Sequence, residues 1–360
     1  FLGKCLALDE LPQLRQDILE QVSKPGFSWE QFVRVGSSHL VLPALYCKLR
    51  NSDLVSQLPP ELTAHLKKIH TLNTERNKGL LKQIHWLHAL FLNAGIKAVF
   101  LKGSGALLGE LYPDPGERVL NDIDCLVHES DFEDAVNLVK EEGYTHPPFL
   151  PEKLPLMHHY PSLFKTNEPA QIEIHKIPVG KRQLKHLNLE AMWSACAQPG
   201  EKDGPWILSG TDQILINVIH SQLKDRGQFY ANIPLRNIYE FYRLNSRFEL
   251  PASKDLPPRM KRVLNNYMSV AEKLFTPEKS FPLKKDLSSK VFIWRFEFNK
   301  TSRVYNRMGK FFRTLTEILY TYLYILAKAL THKEYRSYLR INLTSLAWYR
   351  RHVSVIRKRF

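Results

Sequence analysis

Asp122 and Asp124 stand two residues apart in the largely apolar run Val119 to Val127. On a β-strand that spacing sends both carboxylates to one face, roughly 6–7 Å apart along it. Carboxylates that close in an apolar strand repel each other and resist burial, and a divalent cation resolves the conflict. Mg²⁺ takes oxygen ligands and is usually held by one or two carboxylates together with substrate phosphates. A third acid, Glu173, lies in Ile172-Glu173-Ile174-His175. This is a second apolar strand, whose isoleucines would face a core and leave Glu173 turned toward a site. An isolated Asp-x-Asp carries little weight, because a solvated sheet edge yields the same string.

Lys102-Gly103-Ser104-Gly105 follows the apolar run Ile96 to Leu101 and precedes Ala106 to Leu111, which has the composition of a short helix. In a strand-to-helix loop, backbone N–H groups face an anion and glycine permits close approach to phosphate. Lys102 adds a charge nearby. The same glycines also occur where only tight geometry is needed. Arg118, four residues before Asp122, would either grip phosphate in bidentate fashion or pair with an acid such as Asp114. His175 shares the strand face of Glu173 and reads as a wall of the site. His158 and His159 read as structural, and His220 as a packed core histidine of a helix.

Stepping outward, residues 10–92 have a helical period. Leu14, Ile18 and Val22 fall at spacing four, Ser28 with Gln31 makes a capping box, and a long amphipathic stretch runs from Glu61 to Asn93, closed by Gly95. The period then changes to that of strands at 96–101 and 119–127. Ser130 and Glu133 would cap a helix that Gly143 ends. After a Pro-rich loop from Pro147 to Pro155, Tyr160 to Lys165 and Ala170 to Ile177 would be antiparallel strands around a turn at Thr166 to Pro169. From Asp212 the chain is helical again, with linkers expected at Pro251 to Pro258 and Thr276 to Asp286. The fold class is α+β, a small mixed sheet flanked by N-terminal and C-terminal helices. The expected divisions are a helical region 1–93, an α/β core 94–200, a helical region 201–283 packed on it, and a basic, aromatic-rich segment 284–360.

The chain of 360 residues is 44% hydrophobic and 24% charged, which excludes a disordered protein. Its net charge of +15 is uneven, for residues 284–360 hold 18 basic and 4 acidic side chains. The acids of the expected site therefore lie in a nearly neutral body. The basic tail admits three roles: a helical subdomain with solvated charges, a contact with an anionic membrane surface, or a contact with nucleic acid. Its most apolar window, Ile318 to Ala327, is bracketed by Glu317 and Lys328 and falls short of the about 20 residues a spanning helix needs. Four cysteines without metal-ligand spacing point to a reducing cytoplasm, and the first residue is Phe rather than Met. The expected location is cytoplasmic, with a peripheral membrane position as the variant.

Taken together, the Gly-Ser connection, the Asp-x-Asp strand and the later strand acid resemble the polymerase-beta-like nucleotidyltransferases. The chain is more closely similar to a family of uncharacterised bacterial nucleotidyltransferases. The segments that carry the likeness are Leu101-Lys102-Gly103, Arg118 to Val127 and Ile172-Glu173-Ile174-His175, with Leu42-Pro43-Ala44-Leu45-Tyr46 in the N-terminal helices. It covers roughly residues 25–245. The resemblance implies Mg²⁺-dependent transfer of a nucleoside monophosphate from a nucleoside triphosphate such as ATP to a hydroxyl acceptor, a small molecule or sugar. It further implies that Gly103 and Ser104, helped by Lys102 and Arg118, grip the phosphates. Asp122, Asp124 and Glu173 would hold two metal ions. The alternatives are an enzyme that adds nucleotides to RNA, and a non-catalytic binding module of the same fold.

Overall fold

The computed structural model describes residues 1–146, 157–200, 203–252, 255–275, 281, 286–301, 303–346, 348–350 and 353–354. The expected loop 147–155 lies outside them, as do parts of the two expected linkers. Helices come first: α1 (Leu2–Leu6), α2 (Leu14–Val22), α3 (Trp29–Ser38), α4 (Leu42–Asn51) and α5 (Pro60–Asn93). The Ser28 hydroxyl accepts from the Gln31 amide at 3.1 Å, and Gly95, with φ of 73°, turns the chain out of α5. Then come β1 (Val99–Phe100), α6 (Lys102–Leu108), β2 (Asp122–Leu126), α7 (Phe132–Glu141), β3 (Gln171–His175), α8 (Leu189–Ser194) and β4 (Trp206–Ile207). The chain continues through α9 (Gly210–Val218), a π-helical turn (Ile219–Lys224), α10 (Gly227–Tyr230), α11 (Leu235–Arg247), α12 (Pro258–Phe275), α13 (Leu287–Thr301), α14 (Arg303–Ala329) and α15 (Lys333–Leu343). The fold is α+β, mostly helical, around a mixed sheet of order β3-β2-β1-β4.

β2 runs antiparallel to β1 and parallel to β3, while β1 and β4 are parallel. In the β2–β3 register Ile123 pairs with Ile172 and Cys125 with Ile174. All four side chains are buried in a cluster with Leu80, Ile84 and Leu87 of α5 and Val136 and Val139 of α7. That dry face commits the opposite face of the sheet to Asp122, Asp124, Glu173 and His175, because strand side chains alternate. The expected hairpin before β3 is present as paired backbone bonds between Leu163 and Ile172, with Asn167 at φ 70° in its turn.

Two local expectations change. β2 begins at Asp122 rather than Val119 because the carbonyls ahead of it are taken by side chains. Arg118 Nη1 holds the Val119 carbonyl at 2.7 Å and Arg76 of α5 holds that of Leu120. The helix after β2 is preceded by Asp131 at its N-cap, and Ser130 donates to the Asp131 carboxylate instead of forming the expected box.

A second and larger core joins α1–α4 to α9, α11 and α12, and Phe292 and Phe296 of α13 belong to it. α14 and α15 add a small cluster of their own around Ile325, Ala329 and Tyr335. Helix α5 serves as a clamp on the chain entering β2. Asn73 donates to the Gly116 and Arg118 carbonyls, and Asn77 to Arg118, at 2.7–3.0 Å.

Helix α6 lies so close to β1 that a Cβ on Gly105 would stand 2.7 Å from the Phe100 carbonyl oxygen. Backbone gives way less readily than a side-chain tip. Gly105→Ala is therefore expected to lower stability by about 1–3 kcal/mol, the usual cost of overpacking, read as a reduced denaturant midpoint with an unchanged slope. A midpoint equal to that of the parent protein would show that α6 can move off β1 freely.

Candidate active site

The parallel register sets Asp124 of β2 directly beside Glu173 of β3. Asp122 lies two residues back on the same face. The polar side chains of the site thus come from two adjacent strands, and α6 covers them. Asp124 is buried, and its Oδ1 takes the Lys102 ammonium at 2.6 Å and His175 Nε2 at 2.8 Å. Glu173 Oε1 accepts from Ser162 at 2.8 Å, and its Oε2 lies 3.8 Å from His175 and 4.0 Å from His159. Oxygen and nitrogen atoms of Asp124, Glu173 and His175 all lie within 4.8 Å of one another.

The electrostatics follow from this crowding. Burial, then Asp124 and Glu173, push the Asp122 carboxyl up to about 6. Asp124 goes the other way. Burial opposes its charge, but Lys102 and the His175 hydrogen bond outweigh that and hold it below the usual carboxylate range. Lys102 is raised because Asp124 overcomes its own burial. Burial pushes the His175 imidazole down to about 4, so it is neutral near pH 7 and its Nε2–H donates to Asp124. Its Nδ1 is buried without a hydrogen-bond partner among the described residues.

Lys102 itself has φ of 50°, a left-handed conformation that side-chain-bearing residues adopt at some cost. It sits at the first residue of α6, whose N-cap, Leu101, supplies no side-chain bond. Gly103, Ser104 and Gly105 therefore lie inside the first turn of a helix rather than in a loop. Gly103 is on the wall of a cavity of about 220 Å³ with Lys102, Arg118, Asp122 and Asp124. Ser104 is not. It is 1% exposed and its hydroxyl accepts from the Asp124 amide at 3.3 Å, which ties α6 to β2. Glycine at 103 also has a packing reason, since a Cβ there would meet Leu120 Cδ2 at 2.0 Å.

Arg118 is the other departure. Its Nε pairs with Glu240 of α11 at 2.8 Å, whereas Asp114 is held by Arg50 and His70. Pairing with an acid was foreseen, but the acid lies 122 residues away in sequence.

The structure also brings in residues that the sequence did not mark. Arg236 of α11 lines the same cavity and faces Asp122. Its signal was a polar face on an amphipathic helix, with Arg236, Glu240 and Arg243 at helical spacing. His158 and His159 are more than structural neighbours, for their rings lie 5.4 and 5.0 Å from that of His175. His220, expected in the core, lines the cavity from the π-helical turn, with Nδ1 3.3 Å from Asp225 and Nε2 3.2 Å from the Lys224 ammonium. A regular α-helix would have carried the period of α9 onward and turned that face differently. Nothing in the sequence announces the π-turn.

The family model for uncharacterised nucleotidyltransferases matches residues 25–263, which holds every one of these side chains. The chain belongs to that family. No curated protein and no solved structure matches it. Membership makes this chain a nucleotidyltransferase by family, and enzymes of that kind act on nucleoside triphosphates with divalent metal. In this nucleotidyltransferase-family chain no described helix is long and apolar enough to cross a membrane.

Asp122 supplies a test of the charge balance. Its folded pKa is raised, so the folded protein binds more protons than the unfolded chain between about pH 4 and 6. Stability therefore falls as pH rises through that window. In chelator, Asp122→Asn should melt above the parent protein at pH 8, with the gap closing below about pH 4. A gap of equal size at both ends would mean that the Asp122 carboxyl is not raised in the folded protein.

Proposed function

We propose that the protein transfers a nucleoside monophosphate from a nucleoside triphosphate to a hydroxyl acceptor, using Mg²⁺ held by Asp122, Asp124 and Glu173. The observation that carries this is the β2–β3 register, which collects three acids on one sheet face beside a cavity that also holds Lys102, Arg118 and Arg236. The donor set fits a divalent cation. Oxygen ligands dominate, Lys102 is the one cationic side chain bonded to these acids among the described residues, and burial with the neighbouring acids raises the proton affinity of Asp122. Such an ion, when bound, neutralises phosphate charge and polarises the reacting oxygens.

The chain's own groups supply the rest. Lys102, Arg118 and Arg236 are set to hold phosphate oxygens, Arg118 being fixed by Glu240 and the Val119 carbonyl so that its plane is already oriented. The acceptor oxygen attacks the α-phosphorus, the bond to the departing pyrophosphate breaks, and the acceptor's proton passes to Glu173 Oε2. Ser162 steadies that carboxylate through its other oxygen. At about 220 Å³ the cavity is smaller than whole-ligand pockets, which start near 300 Å³. It suits the phosphates and leaves the base outside. Asp122→Ala should abolish Mg²⁺-dependent pyrophosphate release, a fall of about a thousandfold or more for loss of a metal-binding carboxylate, while the fold persists by circular dichroism. Full activity in this variant would remove the site from consideration.

The basic tail bears on where the reaction happens. On α14, Phe312, Leu315, Leu319, Leu323 and Leu326 form one stripe at helical spacing and are each 40–65% exposed. A stripe of that size on a soluble surface marks a contact. The positive charge of the segment disfavours a second copy of itself and suits an anionic lipid surface, where apolar and basic faces act together. We infer that α14 rests on such a surface. Co-sedimentation with phosphatidylglycerol vesicles should fall with added salt and be lost in Leu319→Glu/Leu323→Glu. Equal binding to phosphatidylcholine vesicles would argue against it.

A further inference from the structure

We propose that a groove beside the catalytic cavity binds the phosphate of a phosphorylated polyol, and that this molecule is the hydroxyl acceptor. The assignment rests on the function proposed above. The groove, about 1050 Å³, lies where α14 and α15 meet residues 180–186 and 223–230. Its volume suits a whole ligand, where that of the catalytic cavity does not.

The wall is one-sided in charge. It carries Lys181, Arg182, Lys185, Lys224, Arg226 and Arg259, and no Asp or Glu among the described residues that line it. None of the six pairs with a carboxylate among the described residues. Cations gathered in a concavity whose described lining holds no acid favour an anion there. Burial and the nearby Lys102 already hold the Lys224 ammonium below its ordinary value. A phosphate relieves that strain with charge-assisted hydrogen bonds.

The rest of the wall distinguishes a polyol phosphate from a nucleic-acid strand. Single strands bind where aromatic faces are free to stack bases. Here the Arg182 guanidinium lies 4.7 Å from the Tyr320 ring centre and 5.3 Å from that of Tyr324, and Arg226 lies 5.0 Å from Tyr320. Those faces are already covered by the protein's own cations. What Tyr320, Tyr324 and Tyr338 bring to the wall instead is hydroxyl groups, which suit the hydroxyls of a polyol.

Position ties the groove to the chemistry. Within one π-helical turn and the residues after it, His220 and Asp225 line the catalytic cavity, while Leu223, Lys224 and Arg226 line the groove. Lys224 Nζ stands 3.2 Å from His220 Nε2 across that wall. A ligand anchored by phosphate in the groove would therefore extend its hydroxyls across this shared wall toward the cavity that Asp122 and Asp124 line. The family match ends at residue 263, whereas Thr316, Tyr320, Tyr324, Tyr335 and Tyr338 lie beyond it. The acceptor wall is thus built partly from chain that the family's catalytic body does not include.

Calorimetric titration of the full chain tests this with three probes. They are glycerol phosphate, dihexanoyl phosphatidylglycerol kept below its micelle concentration, and a short oligouridylate. One of the first two should bind, and which one binds tells a free polyol phosphate from a lipid headgroup. Its affinity should fall about tenfold or more in Lys181→Gln/Lys185→Gln and in Arg182→Gln/Arg259→Gln, as expected for lost charged hydrogen bonds. Binding of Mg²⁺–ATP should be unchanged in both pairs. The proposal is overturned if neither phosphate probe binds, if both pairs bind it like the parent protein, or if only the oligouridylate depends on the groove, which would make it an RNA site. Asp122→Asn separates the two levels. Lost turnover with intact phosphate binding supports both, whereas retained turnover sinks the nucleotidyl-transfer assignment and leaves the groove's phosphate binding measured on its own.

Discussion

Three carboxylates on one face of a four-stranded sheet are the constraint around which this protein is arranged. Their placement follows from the other face. Ile123, Cys125, Ile172 and Ile174 must be dry, and the β2–β3 register that buries them leaves Asp124 beside Glu173 and Asp122 at the cavity. A one-residue slip would bury the acids and expose the isoleucines, so the core enforces the site. Burial, together with the repulsion this creates, raises Asp122, while Lys102 and His175 hold Asp124 ionised. Lys102 reaches Asp124 from a left-handed backbone conformation at the head of α6, a local cost that the pairing with Asp124 offsets.

A buried polar network holds the approach to this face. Lys48, 1% exposed, bridges Asp9 and Glu117, and Tyr239 donates to Glu117. Next along the chain, Arg118 pairs with Glu240. These bonds join the N-terminal helices and α11 to the segment that enters β2, from the side opposite the amides of α5. Breaking a buried pair costs more than its making contributes, because it strands a charge. The network therefore specifies one path for residues 114–121 and so one position for Asp122. The helical flanks, which could pass for mere packing, are what hold the acids still.

How much of this was legible depended on the range of the interaction. Period-two alternation around Asp122, Asp124 and Glu173 is local, and it marks both strands and the face their acids share. The Ser28 cap and the stop at Gly95 are local too. Gly-Ser-Gly after an apolar run reads as a loop, whereas packing against β1 draws Ser104 into the first turn of α6 and turns its hydroxyl to the Asp124 amide. Glu240 as the partner of Arg118, and Arg236 facing Asp122, depend on α11 docking more than a hundred residues later. No spacing rule reaches that far. His220 depended on a π-turn, a change of one residue in helical register that leaves no mark in composition.

The uneven charge acquires a structural meaning once α14 is placed. The helix advances about 100° per residue, so Thr316, Tyr320 and Tyr324 lie to one side of the stripe that runs through Leu319 and Leu323. One side meets the basic groove and the other meets solvent. The acids that need a metal stay in a body of nearly balanced charge, where a basic tail would otherwise compete for them. The groove's cations lie on the other side of the wall where Lys224 meets His220. In the catalytic cavity Lys102 is bonded to Asp124 and Arg118 to Glu240, whereas the groove's lining holds no Asp or Glu among the described residues. On the proposed function, dividing the charge between two cavities that share the wall of His220 and Lys224 would let the acids hold metal while the groove cations hold phosphate.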